Sequence, residues 1–204
     1  MRAGRTGIGW LAVLSLTAVS FRYLDAPLAR FCLGLARSVP RWSSFTGDLP
    51  DLLLPASILG TVAAWGGYGL LRVRHLDGRG RPFLKHVAVS LPASFLAKTA
   101  LKGVFGRIAT RAWLQSPGDL GFAWFSLDPD KSGFPSGHMT VATAVAAAVC
   151  AHFPAYRRPC LGLLALLAVL LVLTDYHFLS DVVAGAGLGV LVHVLARPLA
   201  ERLP

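Results

Sequence analysis

Two histidines, an aspartate and a set of basic residues carry the chemistry that this sequence offers. His177 and Asp181 are four residues apart. A helical turn there puts them on one face, where the carboxylate accepts from one imidazole nitrogen and fixes the tautomer. The other nitrogen is left to attack or to carry a proton. His138 brings a second imidazole from another part of the chain, and two histidines with separate partners can divide the roles of nucleophile and acid. Lys102 and Arg107 have no acidic partner nearby in sequence. Such a surplus of positive charge suits an anion, and arginine matches phosphate oxygens in particular. Ser136 and Gly137 immediately precede His138 at an expected helix start, where free backbone N–H groups and the positive helix end bind anions.

The elements that must position these residues are membrane helices. Of the 204 residues 54% are hydrophobic and 15% charged, and mean hydropathy is +0.58, too apolar for an ordinary soluble domain. The reading is an all-α, polytopic membrane protein forming a single domain over residues 1–204, with room for about six spans of some 20 residues each. They fall at about Gly7–Phe21, Leu52–Leu71, Phe83–Phe105, His138–Phe153, Cys160–Leu173 and Asp181–Ala196. "AVS" at Ala18–Ser20 resembles a signal-peptidase site, which makes a cleaved leader the alternative for the first run. An uncleaved helix is favoured because "FRYLDAPLARFCLGLARSVP" continues as an amphipathic, interface-like stretch.

The formal charge of +10 does not indicate nucleic acid, because the basic residues lie scattered between apolar runs without a stripe of interleaved aromatics. They read as topology signals. With six spans, Arg2, Arg5, Arg72, Arg74, Arg79, Arg81, Arg157, Arg158, Arg197 and Arg202 share one face, which is then cytoplasmic. Arg22, Arg30, Arg37 and Arg41 fall on the other face and dilute the bias. Lys102, Arg107, "PSGH" and the His177 region meet on the non-cytoplasmic side. Charges at such depth cost about 2.5–3.5 kcal/mol each, so they are functional candidates by default. The blander readings are that Lys98 and Lys102 snorkel to headgroups, that Arg111 and Lys131 are solvated loop charges, and that Trp113 and Trp124 belong to an interfacial belt. Cys32, Cys150 and Cys160 have no metal-ligand spacing and no assigned role; no metal or other cofactor is implied.

At these residues the sequence resembles the type 2 phosphatidic acid phosphatase superfamily, the integral-membrane lipid phosphatases that share a helical core with vanadium haloperoxidases. That family shows, in order and on one face, a Lys-and-Arg motif, a Pro-Ser-Gly-His motif and a third motif ending in His, three residues, Asp. Here the second is intact as Pro135–His138, and the third survives as His177 and Asp181 followed by "VVAGAGLG". The resemblance covers roughly residues 45–196. It implies His177 as nucleophile forming a phosphohistidine, Asp181 holding it, and His138 protonating the leaving group and later activating water. Lys102, Arg107, Ser136 and the Gly137 backbone would bind the phosphoryl oxygens. Two positions depart from the pattern. The first motif usually reads Lys, six residues, Arg-Pro, but here Ala109 and Thr110 stand there, making Arg107 the substitute and Arg111 the second candidate. The third motif usually begins Ser-Arg, where this chain has Leu170 and Leu171.

The function expected is a phosphatase or phosphotransferase of a lipid-linked phosphate or diphosphate, in a bacterial inner (plasma) membrane, with its site toward the periplasm or outside. Polyprenyl diphosphate, phosphatidylglycerol phosphate, phosphatidate and lipid A phosphates are all candidate substrates. The alternatives are a non-catalytic headgroup-binding member of the fold, prompted by Leu171, and an intramembrane serine protease using Ser136 and His177.

Overall fold

The computed structural model describes residues 2–37, 49–76 and 78–203. Arg41, counted above among the topology residues, and residues 45–48, at the start of the stretch of resemblance, lie outside the described residues. Eight α-helices follow one another: α1 (Arg2–Val19), α2 (Asp25–Arg37), α3 (Leu49–Val73), α4 (Gly80–Phe105), α5 (Thr110–Gln115), α6 (Gly137–His152), α7 (Arg157–Leu173) and α8 (Leu179–Arg202). No strand occurs among the described residues, only an isolated pairing of Arg107 with Phe122.

Sequence suggested a short first span ending near Phe21 and then an interfacial stretch, but α1 and α2 form one continuous helix joined by a π-turn at Ser20–Leu24. The physical reason is Pro27. Its ring removes a backbone donor and crowds the preceding turn, and one wide turn absorbs that misfit without ending the helix. The Asp25 N–H accordingly bonds to the Ser20 carbonyl, five residues back.

Among the described residues five helical segments are long and apolar enough to cross a membrane: Gly7–Leu35, Leu52–Val73, Gly80–Phe105, Pro154–Leu173 and Leu179–Arg202. The sixth expected span, α6, is helical but shorter, at 16 residues. Leu11, Leu14, Ile58, Leu59, Leu163 and Val194 are exposed on the outer surface, as side chains facing lipid would be.

Helices α4, α6 and α8 pack on one another at the centre, with α3 against α4, α1 against α8 and α7 against α6. The α6–α8 contact is tight because α8 lacks side chains there. A Cβ at Gly185 would lie 2.5 Å from the Ser136 carbonyl oxygen, and one at Gly189 2.5 Å from that of Thr140. Small residues four apart let helix backbones approach in lipid, where packing replaces the hydrophobic effect as the force between helices. That approach sets the start of α6, with His138, beside the start of α8, with Asp181.

Candidate active site

At the end of α4 the chain reverses through Gly106, at φ 55°, whose N–H closes the helix onto the Lys102 carbonyl at 2.9 Å. A Cβ there would come within 2.0 Å of the Ala123 oxygen, so only glycine makes this turn. The long segment that follows, expected as a loop, contains α5 and a single 3₁₀ turn at Pro129–Lys131. Its backbone groups are tied down: Ala109 N–H donates to Asp130 O at 2.7 Å, Gly133 N–H to Arg107 O at 2.8 Å, and Ser136 N–H to Asp181 O at 3.0 Å. Satisfying these groups within the protein lets irregular backbone lie over the membrane ends of the helices.

Between the ends of α3, α4, α5, α6 and the α7–α8 turn lies a cavity of about 220 Å³. Lys98, Lys102, Arg111, His138, Tyr176 and His177 present their side chains to it, and Gly137 contributes the first turn of α6. Among the described residues three cations line this space and no carboxylate does. The His138 and His177 rings have centroids 6.3 Å apart, and both meet Tyr176 edgewise at 5.4 and 5.6 Å. Arg111 lies over the Tyr176 ring at 4.7 Å and donates from Nη2 to Thr174 O at 3.2 Å. Lys102 Nζ donates to the Ser132 carbonyl.

His177 follows the end of α7, where both its N–H and that of Tyr176 donate to the Leu171 carbonyl, at 3.1 and 3.0 Å. Its Nδ1 is 3.7 Å from Asp181 Oδ2, too long for a hydrogen bond, so the carboxylate acts on the ring through its charge. Burial pushes the His177 imidazole below its ordinary value; Asp181 and the Gly133 backbone oppose that shift, and Lys102 adds to it. Asp175, two residues earlier, is pushed up to about 6 by burial, against the pull of Arg111.

The structure brings Lys102, Arg111, Gly137, His138 and His177 together around one cavity and sets Asp181 behind His177. It does not bring Arg107 or Ser136 to the cavity. Arg107, expected as a phosphate ligand, is fully buried behind the site: Nη1 donates to Ser180 Oγ at 2.7 Å and to Asp181 Oδ1, and Nη2 to Asp25 Oδ2 at 2.7 Å. Ser136 is buried as the N-cap of α6, its oxygen accepting from Met139 N–H at 3.4 Å. That placement does not suit a protease nucleophile.

Leu171, where the resemblance expects arginine, is buried against Met139 and Val182, whereas Arg111 reaches the cavity from α5. Lys131 stays on the surface, 4.0 Å from Asp128. Sequence reasoning missed Lys98 and Tyr176 as lining residues and missed Asp25 entirely. A single carboxylate in the apolar run Gly7–Leu35 was the available signal, since a charge at that depth requires a partner. Among the described residues no group of three or more His, Cys, Asp or Glu could hold a metal ion.

The described residues thus form an all-helical bundle of membrane-length helices with two histidines and three cations at one end of its central helices. The chain belongs to the PAP2 superfamily, whose model matches residues 83–203, from the first turns of α4 through α8. Membership supports an enzyme of the lipid phosphate phosphatase type embedded in the bilayer. No curated protein and no solved structure matches the chain.

Proposed function

We propose that the protein hydrolyses a lipid-linked phosphate or diphosphate, without a metal ion, through a phosphohistidine at His177. The observation that carries this reading is the convergence, among the described residues, of two imidazoles and three cations on one cavity without a lining carboxylate. Because Nδ1 of His177 faces Asp181, Nε2 is left to attack phosphorus. The bond from phosphorus to the lipid oxygen breaks as the new N–P bond forms, and His138 gives its proton to the departing oxygen. His138 then takes a proton from water attacking the phosphohistidine, which releases inorganic phosphate and restores His177. Lys102, Arg111 and the Gly137 end of α6 bind the phosphoryl oxygens. In this reading Arg111 takes the part first given to Arg107, and Lys98 adds a further positive charge.

A groove of about 290 Å³ between α3 and α4 supports a lipid over a soluble ester. It is lined by Leu54, Ile58, Phe95 and Leu96, beside the cavity residues Leu53 and Lys98. We place the cavity at the non-cytoplasmic surface of a bacterial plasma membrane, on the distribution of arginines between loops.

The test is phosphate release from a panel of long-chain phosphates and diphosphates in mixed micelles, beside a soluble aryl phosphate. Turnover of the lipids is expected to be insensitive to chelators and abolished in His138→Ala and His177→Ala. Equal activity in the variants overturns the mechanism.

A further inference from the structure

The strongest unassigned feature is the buried network behind His177. Asp25, Arg107, Ser180 and Asp181 are all essentially inaccessible. Asp25 Oδ2 accepts from Arg107 Nη2 at 2.7 Å and from the Ser180 hydroxyl, and its Oδ1 accepts from Ser180 N–H at 3.0 Å. Arg107 in turn holds Asp181 Oδ1, while Phe178 N–H holds Oδ2 at 3.0 Å, so both oxygens of the carboxylate facing His177 are fixed. The guanidinium itself is sandwiched between Phe21, at 4.7 Å, and Phe178, at 4.6 Å. Asp25 and Phe21 both come from the N-terminal helix, outside the stretch matched by the family.

We infer that Asp25 is a positioning residue for the reaction, acting on His177 through Arg107 and Asp181, and that the N-terminal helix thereby completes the active site. This rests on the reading of His177 as nucleophile. The argument is one of charge and of geometry. Arg107 beside Asp181 alone would cancel the charge that Asp181 presents to the imidazole. With Asp25 the buried group carries two carboxylates against one guanidinium, so one negative charge remains behind His177. Asp25 also occupies the second end of the guanidinium fork, so that Nη1 stays on Asp181 and Ser180. Residues that orient a histidine's partner at metal sites matter by about 10- to 100-fold in activity, and the same scale is expected here. A mere anchor of the N-terminal helix would have no effect on the pH dependence of the chemical step.

His177 shares its cavity with Lys98 and Lys102 from α4, Arg111 from α5 and His138 from α6, with Asp181 from α8 behind it and Tyr176 from its own turn beside it. In Asp25→Asn none of these groups changes, while the buried network behind Asp181 loses a negative charge and one accepting oxygen. The test is steady-state hydrolysis of a lipid phosphate by the full chain in micelles, from pH 5 to 9, for wild type, Asp25→Asn, Ser180→Ala and His177→Ala.

Asp25→Asn is expected to lower kcat at least about tenfold with KM nearly unchanged. Its acid limb should move to lower pH, because a lost negative charge favours neutral imidazole. Ser180→Ala should change kcat in the same direction by less, and its kcat decides the matter if Asp25→Asn does not fold. A wild-type kcat and acid limb in Asp25→Asn, or a change confined to KM, overturns the inference while His177→Ala remains dead. Activity in His177→Ala overturns the underlying reading, and the inference with it.

Discussion

Helices α4, α6 and α8 gather polar side chains at both their ends, and the two gatherings differ in what they leave available. At one end His138 and His177 border a cavity of about 220 Å³ lined, among the described residues, by three cations and no carboxylate. At the other, His86 from α4, His152 from α6 and His193 from α8 lie together beside a cavity of about 230 Å³. Size therefore does not distinguish them. At the far end Arg197 pairs with Glu201 at 3.0 Å and Lys85 donates to the Leu203 carbonyl at 2.6 Å, so each cation there has an acceptor. His86 is buried and spends its ring on structure: Nε2 donates to the His193 carbonyl at 3.1 Å, Nδ1 faces His152 Nε2 at 3.4 Å, and the ring stacks on His193 at 4.6 Å. Clustering alone does not make a histidine a reagent. A reagent needs open space, cations in front and a carboxylate behind: at the His138–His177 end Lys98, Lys102 and Arg111 face the cavity and Asp181 stands behind His177, whereas the described lining at the far end includes Glu201, paired with Arg197.

The contrast is open to test at both ends. Replacing His138 with Gln removes the proton donor but keeps much of its shape, and is expected to lower kcat by about 10²- to 10⁴-fold; rates from lipid phosphate hydrolysis measure it. Next comes Arg111→Ala, expected to lower kcat/KM by about 10- to 100-fold, the worth of one charge-assisted hydrogen bond to a phosphoryl oxygen. Arg111→Lys should recover part of that loss, since the charge returns without the planar fork.

A third prediction concerns pH. His177 attacks as neutral imidazole, and burial lowers its pKa, so kcat/KM should rise through an acid limb lying below the ordinary 6.5 and fall again at higher pH as His138 loses the proton it donates. An acid limb above 6.5 contradicts this. The smallest effect on activity belongs to the far end. His86→Phe should leave kcat/KM within about twofold while costing about 1–3 kcal/mol of stability, because the His193 carbonyl loses its buried donor; thermal unfolding and turnover of the same preparation separate the two. A large loss of activity per folded molecule there would erase the contrast between the ends.

Much of this was legible in the chain. Apolar runs of helical length placed α3, α4, α7 and α8, because crossing lipid leaves backbone groups no partner except those of the same helix. "PSGH" and the His177–Asp181 spacing pointed to residues that the fold brings together at one end of the central helices, since short motifs on adjacent helix ends carry their geometry with them. Arg107 was read wrongly for a physical reason. Charge surplus in sequence says nothing about partners that arrive from 82 residues away, and Asp25 is such a partner. Arg111, the second candidate in sequence and otherwise a loop charge, reaches the cavity because α5 folds it over Tyr176. Continuity of the first helix through Ser20–Leu24 was not legible either, because a π-turn leaves no periodic signature in so short a stretch.

Acid-labile phosphorylation is the most direct measurement. Full-length protein mixed with a ³²P-labelled lipid phosphate and quenched within a turnover should carry up to one phosphoryl group per chain, stable in alkali, lost in acid, and mapped to His177 by mass spectrometry of the alkaline digest. The group should be absent in His177→Ala and present in His86→Phe. Turnover by wild type with no such adduct under any quench, or an adduct that persists in His177→Ala, would contradict the assignment of His177 as the nucleophile.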